Sequence, residues 1–171
     1  MFCKKHPDRK IEAMASILIL GGVVPLCAAI LVQYVGHLPP CHFCMLQRYP
    51  YGVAIGCGVL SLLVPRLSGC WKLLVLMGAL AFLTTGLLGL YHTGIEQGWV
   101  EYHGGCVAGV SGDGSIDSMR AQIMDAPRVS CSDALANFAG LSMASWNAIF
   151  AFSMIGLTLA QYRFERKRHG K

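Results

Sequence analysis

Four apolar stretches, at 13–35, 46–64, 71–91 and 141–162, occupy about half of this 171-residue chain and restrict what it can fold into. A membrane-spanning helix needs about 20 mostly apolar residues, so the pattern predicts four spanning helices in an all-α bundle. The second stretch is the shortest, and its start can reach back toward Cys44. The first follows Lys4, Lys5, Arg9 and Lys10, as a signal peptide would. It is too long for an h-region and has no obvious small-x-small cleavage site, so it reads as retained. With 54% apolar and only 13% charged residues, the chain is poorly suited to a soluble surface and reads as one membrane domain, residues 1–171.

Charge sets an expected orientation. Eleven of the 14 Lys and Arg residues precede the first stretch, flank the turn at Arg66 and Lys72, or follow the fourth from Arg163 onward. With four spans these segments share one side, and the positive-inside rule makes it cytoplasmic. The net charge of +5 then reports topology, and no basic patch with interleaved aromatics points to nucleic acid. The opposite face carries a short loop, 36–48, and a long one, 92–140. The long loop is acidic, with Glu96, Glu101, Asp113, Asp117, Asp125 and Asp133 against Arg120 and Arg128. Within it, 115–126 reads as a short amphipathic helix, with Ile116, Met119, Ile123 and Met124 forming one stripe ahead of Pro127.

The eight cysteines sort by this topology. Cys41, Cys44, Cys106 and Cys131 fall on the oxidising face, where disulfides persist, while Cys3 and Cys70 face the reducing side. Cys27 and Cys57 lie inside spans and read as small buried hydrophobes. Three pairings of the outer four remain open. Cys41 and Cys44 form a Cys-x-x-Cys unit. A disulfide across so short a loop constrains little chain and contributes little stability, so redox chemistry is its better use. Zinc held by four thiolates would need a second close pair, which Cys106 and Cys131, with 24 residues between them, do not supply. Cys3 and His6 are too few ligands to argue for a metal.

Arg48 lies four residues after Cys44, one turn away if a helix begins at Cys44. Its fixed charge would favour a Cys44 thiolate and an anionic reduced acceptor. Pro50 works against a helix passing through Tyr49 and favours a start near 49–50. His92 and Glu96 form a second polar cluster at the outer end of the third stretch, where ionisable groups at membrane depth are functional candidates.

Cys41-His42-Phe43-Cys44 with Gln47-Arg48, Tyr91-His92-x-Gly94-Ile95-Glu96, Cys106, Cys131 and Gly140-Leu141-Ser142-Met143-Ala144-x-Trp146-Asn147-Ala148 together resemble the disulfide bond formation protein B (DsbB) family over residues 14–162. Gln47 and the Ser-Met-Ala-x-Trp-Asn segment are similar to its alpha-proteobacterial branch, and Phe43 stands where an aliphatic residue is more usual. The resemblance implies a multi-pass protein of the bacterial inner membrane, with cytoplasmic termini and periplasmic redox cysteines. It implies a thiol:quinone oxidoreductase that reoxidises a soluble periplasmic oxidase of the DsbA type. Cys41, Cys44, Cys106 and Cys131 would be catalytic, Arg48 and His92 would hold the quinone, and ubiquinone stands ahead of menaquinone. Two alternatives remain: an oxidase dedicated to one substrate protein, and a non-enzymatic membrane scaffold stapled by disulfides. Vitamin K epoxide reductase also combines four spans with Cys-x-x-Cys, but places the active pair at the last helix, where this chain has no cysteine.

Overall fold

The structure is a computed structural model that describes residues 7–38, 40–63, 70–101 and 137–169. Cys3, Cys106, Cys131 and the expected helix at 115–126 lie outside the described residues. Helix α1 runs Pro7–Tyr34, α2 His42–Leu46, α3 Arg48–Leu63, α4 Cys70–Glu96 and α5 Met143–His169. A hairpin of β1 (Asn137–Phe138) and β2 (Leu141–Ser142) leads into α5, with Phe138 opposite Leu141. Its turn residues Ala139 and Gly140 both have positive φ, at 52° and 80°, the backbone that two-residue hairpins require.

The long helices pack in a ring in which α3 lies between α1 and α4, α5 lies against α4, and a thinner contact joins α5 back to α1. Contacts between Arg48 and Gln33, Cys41 and His92, and Thr93 and Ser145 gather the end of α1, the start of α3, the end of α4 and the start of α5 at one end of the bundle. Successive long helices therefore alternate in direction.

Among the described residues three helices are long and apolar enough to cross a membrane, over Ile11–Tyr34, Trp71–Glu96 and Met143–Lys167. Most of the expected second stretch forms α3, whose 16 described residues extend about 24 Å at ~1.5 Å per residue. The polarity of the bundle is that of a membrane protein. Leu20, Leu63 and Leu73 point outward, whereas Ser61, Thr85 and Thr158 are buried among the helices; Cys57 is buried as expected, but Cys27 is exposed on the outer face of α1. Met14, Leu18, Tyr51, Ala54 and Phe82 form the central core.

Small residues allow this closeness. A Cβ on Gly58 would lie 3.0 Å from the Ala15 carbonyl and 2.7 Å from Ile19. Such sites let helix backbones approach where lipid supplies no hydrophobic drive.

Local signals fix the helix ends at the functional end of the bundle. Ser142 caps α5, accepting a hydrogen bond from the Ser145 amide at 3.2 Å. Helix α4 stops at Glu96, and Gly98, φ +72°, follows in the turn, with the Trp99 amide donating back to the Gly94 carbonyl at 2.8 Å.

Candidate active site

The chain leaves α1 and turns into α2 with Cys41 as its N-cap, the Cys44 amide donating to the Cys41 sulfur at 3.2 Å. This cap draws the two side chains together, and the Cys41 thiol donates to the Cys44 sulfur at 2.8 Å. Gln47 interrupts the helix and Arg48 restarts it. Pro50 is the third residue of α3, where the absence of its N–H costs no helical hydrogen bond. The expected alternatives, a helix from Cys44 or one from Tyr49, resolve into a short helix, a break at Gln47 and a second helix.

The two cysteines have different surroundings. Cys41 is 2% exposed and packs with Phe43 and Ile95, and its sulfur lies 3.6 Å from His92 Nε2. Its thiol pKa is pushed up to about 12, first by the hydrogen bond to Cys44 and then by burial, with His92 opposing. Cys41 therefore keeps its proton and points it at Cys44, leaving Cys44 as the sulfur that receives hydrogen bonding. His92 is itself held on α4 beside Glu96, with Nε2 3.7 Å from Oε1 and both side chains buried. Phe43, whose size the sequence marked as unusual, fills the space against the rings of Tyr91 and His92, with centroids 5.5 and 5.6 Å away.

Cys44 packs against the same cluster and also lines, together with Arg48, a cavity of about 330 Å³. The walls come from α1 (Val24 to Gln33), from Leu38 and Pro40, from Gln47 and Tyr51, and from Met143, Ala144, Trp146, Asn147 and Phe150 of α5. The volume lies at the lower end of the ~300–1,000 Å³ usual for ligand pockets, and the lining is of the apolar kind, with a few polar groups, that such pockets use. Arg48 donates from Nη1 to Gln33 Oε1 at 2.8 Å, while its Nε is buried with no partner among the described residues. Of the two residues expected to hold an acceptor, Arg48 lines this cavity. His92 is not among the lining residues and lies against Cys41 instead.

A hydrogen-bonded chain at the cavity wall orients a further donor. Tyr51 Oη donates to Asn147 Oδ1 at 2.6 Å, which turns the Asn147 amide nitrogen toward Gln47 Oε1 at 3.1 Å. Thr85 Oγ1 donates to the Gln47 carbonyl at 3.1 Å. With its side-chain oxygen already accepting, Gln47 is left with Nε2 buried and without a partner among the described residues. Sequence reasoning assigned no role to Gln33, Gln47, Tyr51, Thr85 or Asn147. Their signal was polarity within or beside apolar spans, where such groups seek partners inside the bundle.

The family model described as "Disulfide bond formation protein DsbB" matches residues 11–161. An uncharacterised protein of Rickettsia prowazekii, RP370, is 24% identical over 141 residues, covering 81% of this chain and 80% of its own length. That relative is consistent with an alpha-proteobacterial branch. No solved structure matches the chain.

Proposed function

The chain belongs to the DsbB family of disulfide-forming membrane proteins, and from that premise we propose that it is a membrane thiol:quinone oxidoreductase that reoxidises a periplasmic dithiol oxidase of the DsbA type. The observation that carries this reading is that Cys44 and Arg48 line one apolar cavity. The proposal includes four spans forming one membrane domain in the bacterial inner membrane, with cytoplasmic termini and Cys41, Cys44, Cys106 and Cys131 on the periplasmic side.

The exchanges balance as follows. A thiolate of the reduced partner attacks Cys106 of a Cys106–Cys131 disulfide, forming a mixed disulfide and freeing Cys131. Cys131 attacks Cys41 of a Cys41–Cys44 disulfide, releasing Cys44 as a thiolate. The partner's second thiol displaces Cys106 and leaves the partner oxidised. Cys106 then recovers Cys131, so that two electrons rest on the Cys41–Cys44 pair. Partners of this class are themselves strong oxidants, at about −120 mV, so thiol exchange alone cannot draw electrons from them.

A quinone supplies the two-electron sink. The residues present suit such a head group: the cavity is mostly apolar, and Arg48 Nε and Gln47 Nε2 are buried donors without acceptors among the described residues, suited to carbonyl oxygens. Arg48 would hold and polarise one carbonyl and favour the Cys44 thiolate. Gln47 would orient the ring, and the apolar walls would exclude water. His92 acts on Cys41, holding its sulfur and exchanging its proton as the pair opens and closes. Ubiquinone is the proposed acceptor in preference to menaquinone.

The test is turnover of a reduced DsbA-type protein by purified protein in the presence of quinone. Cys44→Ser should abolish quinone-dependent oxidation. Wild-type turnover in that variant would overturn the mechanism and favour a stapled scaffold.

A further inference from the structure

The thiol pair and His92 together carry a second kind of chemistry. Cys41 Sγ, Cys44 Sγ and His92 Nε2 all lie within 4.8 Å of one another. The Cys41 to His92 separation is 3.6 Å. Tetrahedral zinc takes sulfur at ~2.3 Å and imidazole nitrogen at ~2.0 Å, which places neighbouring ligand atoms about 3.3–3.8 Å apart. The nitrogen–sulfur edge already has that length. The sulfur–sulfur edge, at 2.8 Å, needs to open by roughly 1 Å, the direction in which two thiolates repel.

An independent observation concerns Glu96. Its side chain is 5% exposed, Oε1 is 3.7 Å from the same His92 nitrogen, and Oε2 has no hydrogen-bond partner among the described residues. A buried carboxylate oxygen without a partner is costly, and a cation held by the two sulfurs and His92 would bring positive charge next to it. We propose that the reduced Cys41–Cys44 pair with His92 is a three-residue binding site for a thiophilic divalent cation of the zinc class, with the Glu96 carboxylate, which lies beside His92 but outside that group, as the neighbouring anion.

Binding exchanges the two thiol protons for one dication: two thiols and Zn²⁺ give two zinc-bound thiolates and two protons, with no change of oxidation state. The site exists only in the reduced state, because a disulfide has no thiolate to offer. An occupied site ties up both sulfurs, so the cation is a reversible brake on return of the pair to its disulfide. This differs from zinc on four thiolates, since Cys106 and Cys131 take no part. It required His92 to be brought across from α4.

Cobalt(II) reports the ligands directly. The full chain, reduced and desalted without oxygen, should bind one equivalent with sulfur-to-cobalt charge-transfer absorption and the visible bands of four-coordinate cobalt, and Zn²⁺ should bleach both. A Cys3→Ser, Cys70→Ser, Cys106→Ser, Cys131→Ser background should behave alike. Cys44→Ser should lose the charge-transfer band, while His92→Ala and Glu96→Gln should each weaken binding by about tenfold or more. Zn²⁺ should also slow reoxidation of the reduced pair, with recovery on adding a chelator. The proposal is overturned if reduced wild type shows no charge-transfer band, if oxidised protein binds equally, or if His92→Ala binds like wild type. No quinone enters the binding measurement, so its outcome is independent of the proposed acceptor.

Discussion

Gln47 directs an amide nitrogen to the cavity because its other side-chain atom is already committed: Asn147 donates to its oxygen, and Tyr51 fixes which way Asn147 faces. A buried donor left unpaired costs about 1–3 kcal/mol, and an acceptor on a bound head group would recover part of it. Gln47→Leu should therefore raise KM for quinone by about tenfold, the equivalent of ~1.4 kcal/mol, while sparing thiol exchange with the protein partner. If Asn147 acts only by orienting Gln47, Asn147→Leu should add little to Gln47→Leu in a double-mutant cycle. Fully additive losses would show that Asn147 acts by a separate route. Cys41 makes a second prediction at this scale. With its pKa near 12 against an ordinary value of 9.0, its thiolate fraction at pH 9 is about one in a thousand. The raised value means that the protonated arrangement is favoured below about pH 9 and lost as pH rises toward 12. In a variant whose only thiols are Cys41 and Cys44, thiolate absorbance should show one thiol still protonated until close to pH 12. Complete ionisation of both by pH 9 would contradict the hydrogen bond from Cys41 to Cys44.

At the level of elements, the approach of α1 and α3 is set by Gly58, whose missing side chain leaves room for Ala15, Leu18 and Ile19. Gly58→Leu should force the helices apart and lower stability by roughly 1–3 kcal/mol, read as a lower thermal midpoint in detergent, whereas a side chain at Gly52, which meets nothing within 4 Å, should be tolerated. Helix positions were legible in the sequence because apolar length alone sets them: 13–35 became Pro7–Tyr34 and 71–91 became Cys70–Glu96. The break at Gln47 was only half legible. Pro50 announced a helix start, but the separate turn of His42–Leu46 depends on Cys41 acting as its cap, and cysteine is not a usual capping residue. The second strand of the hairpin before α5 was hidden at the start of the apolar stretch at 141–162, since Leu141 and Ser142 read equally well as helix. In the site, Cys41, Cys44 and Arg48 were legible from spacing, because they lie within eight residues of one another. The contact of His92 with Cys41, and the Tyr51–Asn147–Gln47 chain that joins residues 100 positions apart, are products of helix packing that no local pattern encodes.

Across the whole molecule, the Cys41–Cys44 pair separates two environments. Cys41 is buried in a packed cluster with Phe43, Ile95 and His92 at the end of α4, and Cys44, at the edge of that cluster, also lines the cavity between α1 and α5. The proposed relay would use this arrangement: the sulfur attacked by another thiol and the sulfur facing the acceptor would be different atoms, joined by one bond in the oxidised state. Helix α4 ends at Glu96, one turn beyond His92, and Cys106 and Cys131 follow it in the sequence. If Cys106 receives the partner's attack and Cys131 carries electrons inward, Cys131→Ser removes the thiol that links the two pairs. The partner should then accumulate as a mixed disulfide on Cys106, visible as a reducible adduct on non-reducing gels, with Cys41 and Cys44 remaining oxidised. Adding Cys106→Ser should abolish the adduct. An adduct that survives loss of Cys106 and disappears with Cys41→Ser would mean that the partner reaches the membrane pair directly, and would reverse the order of the two pairs in electron flow.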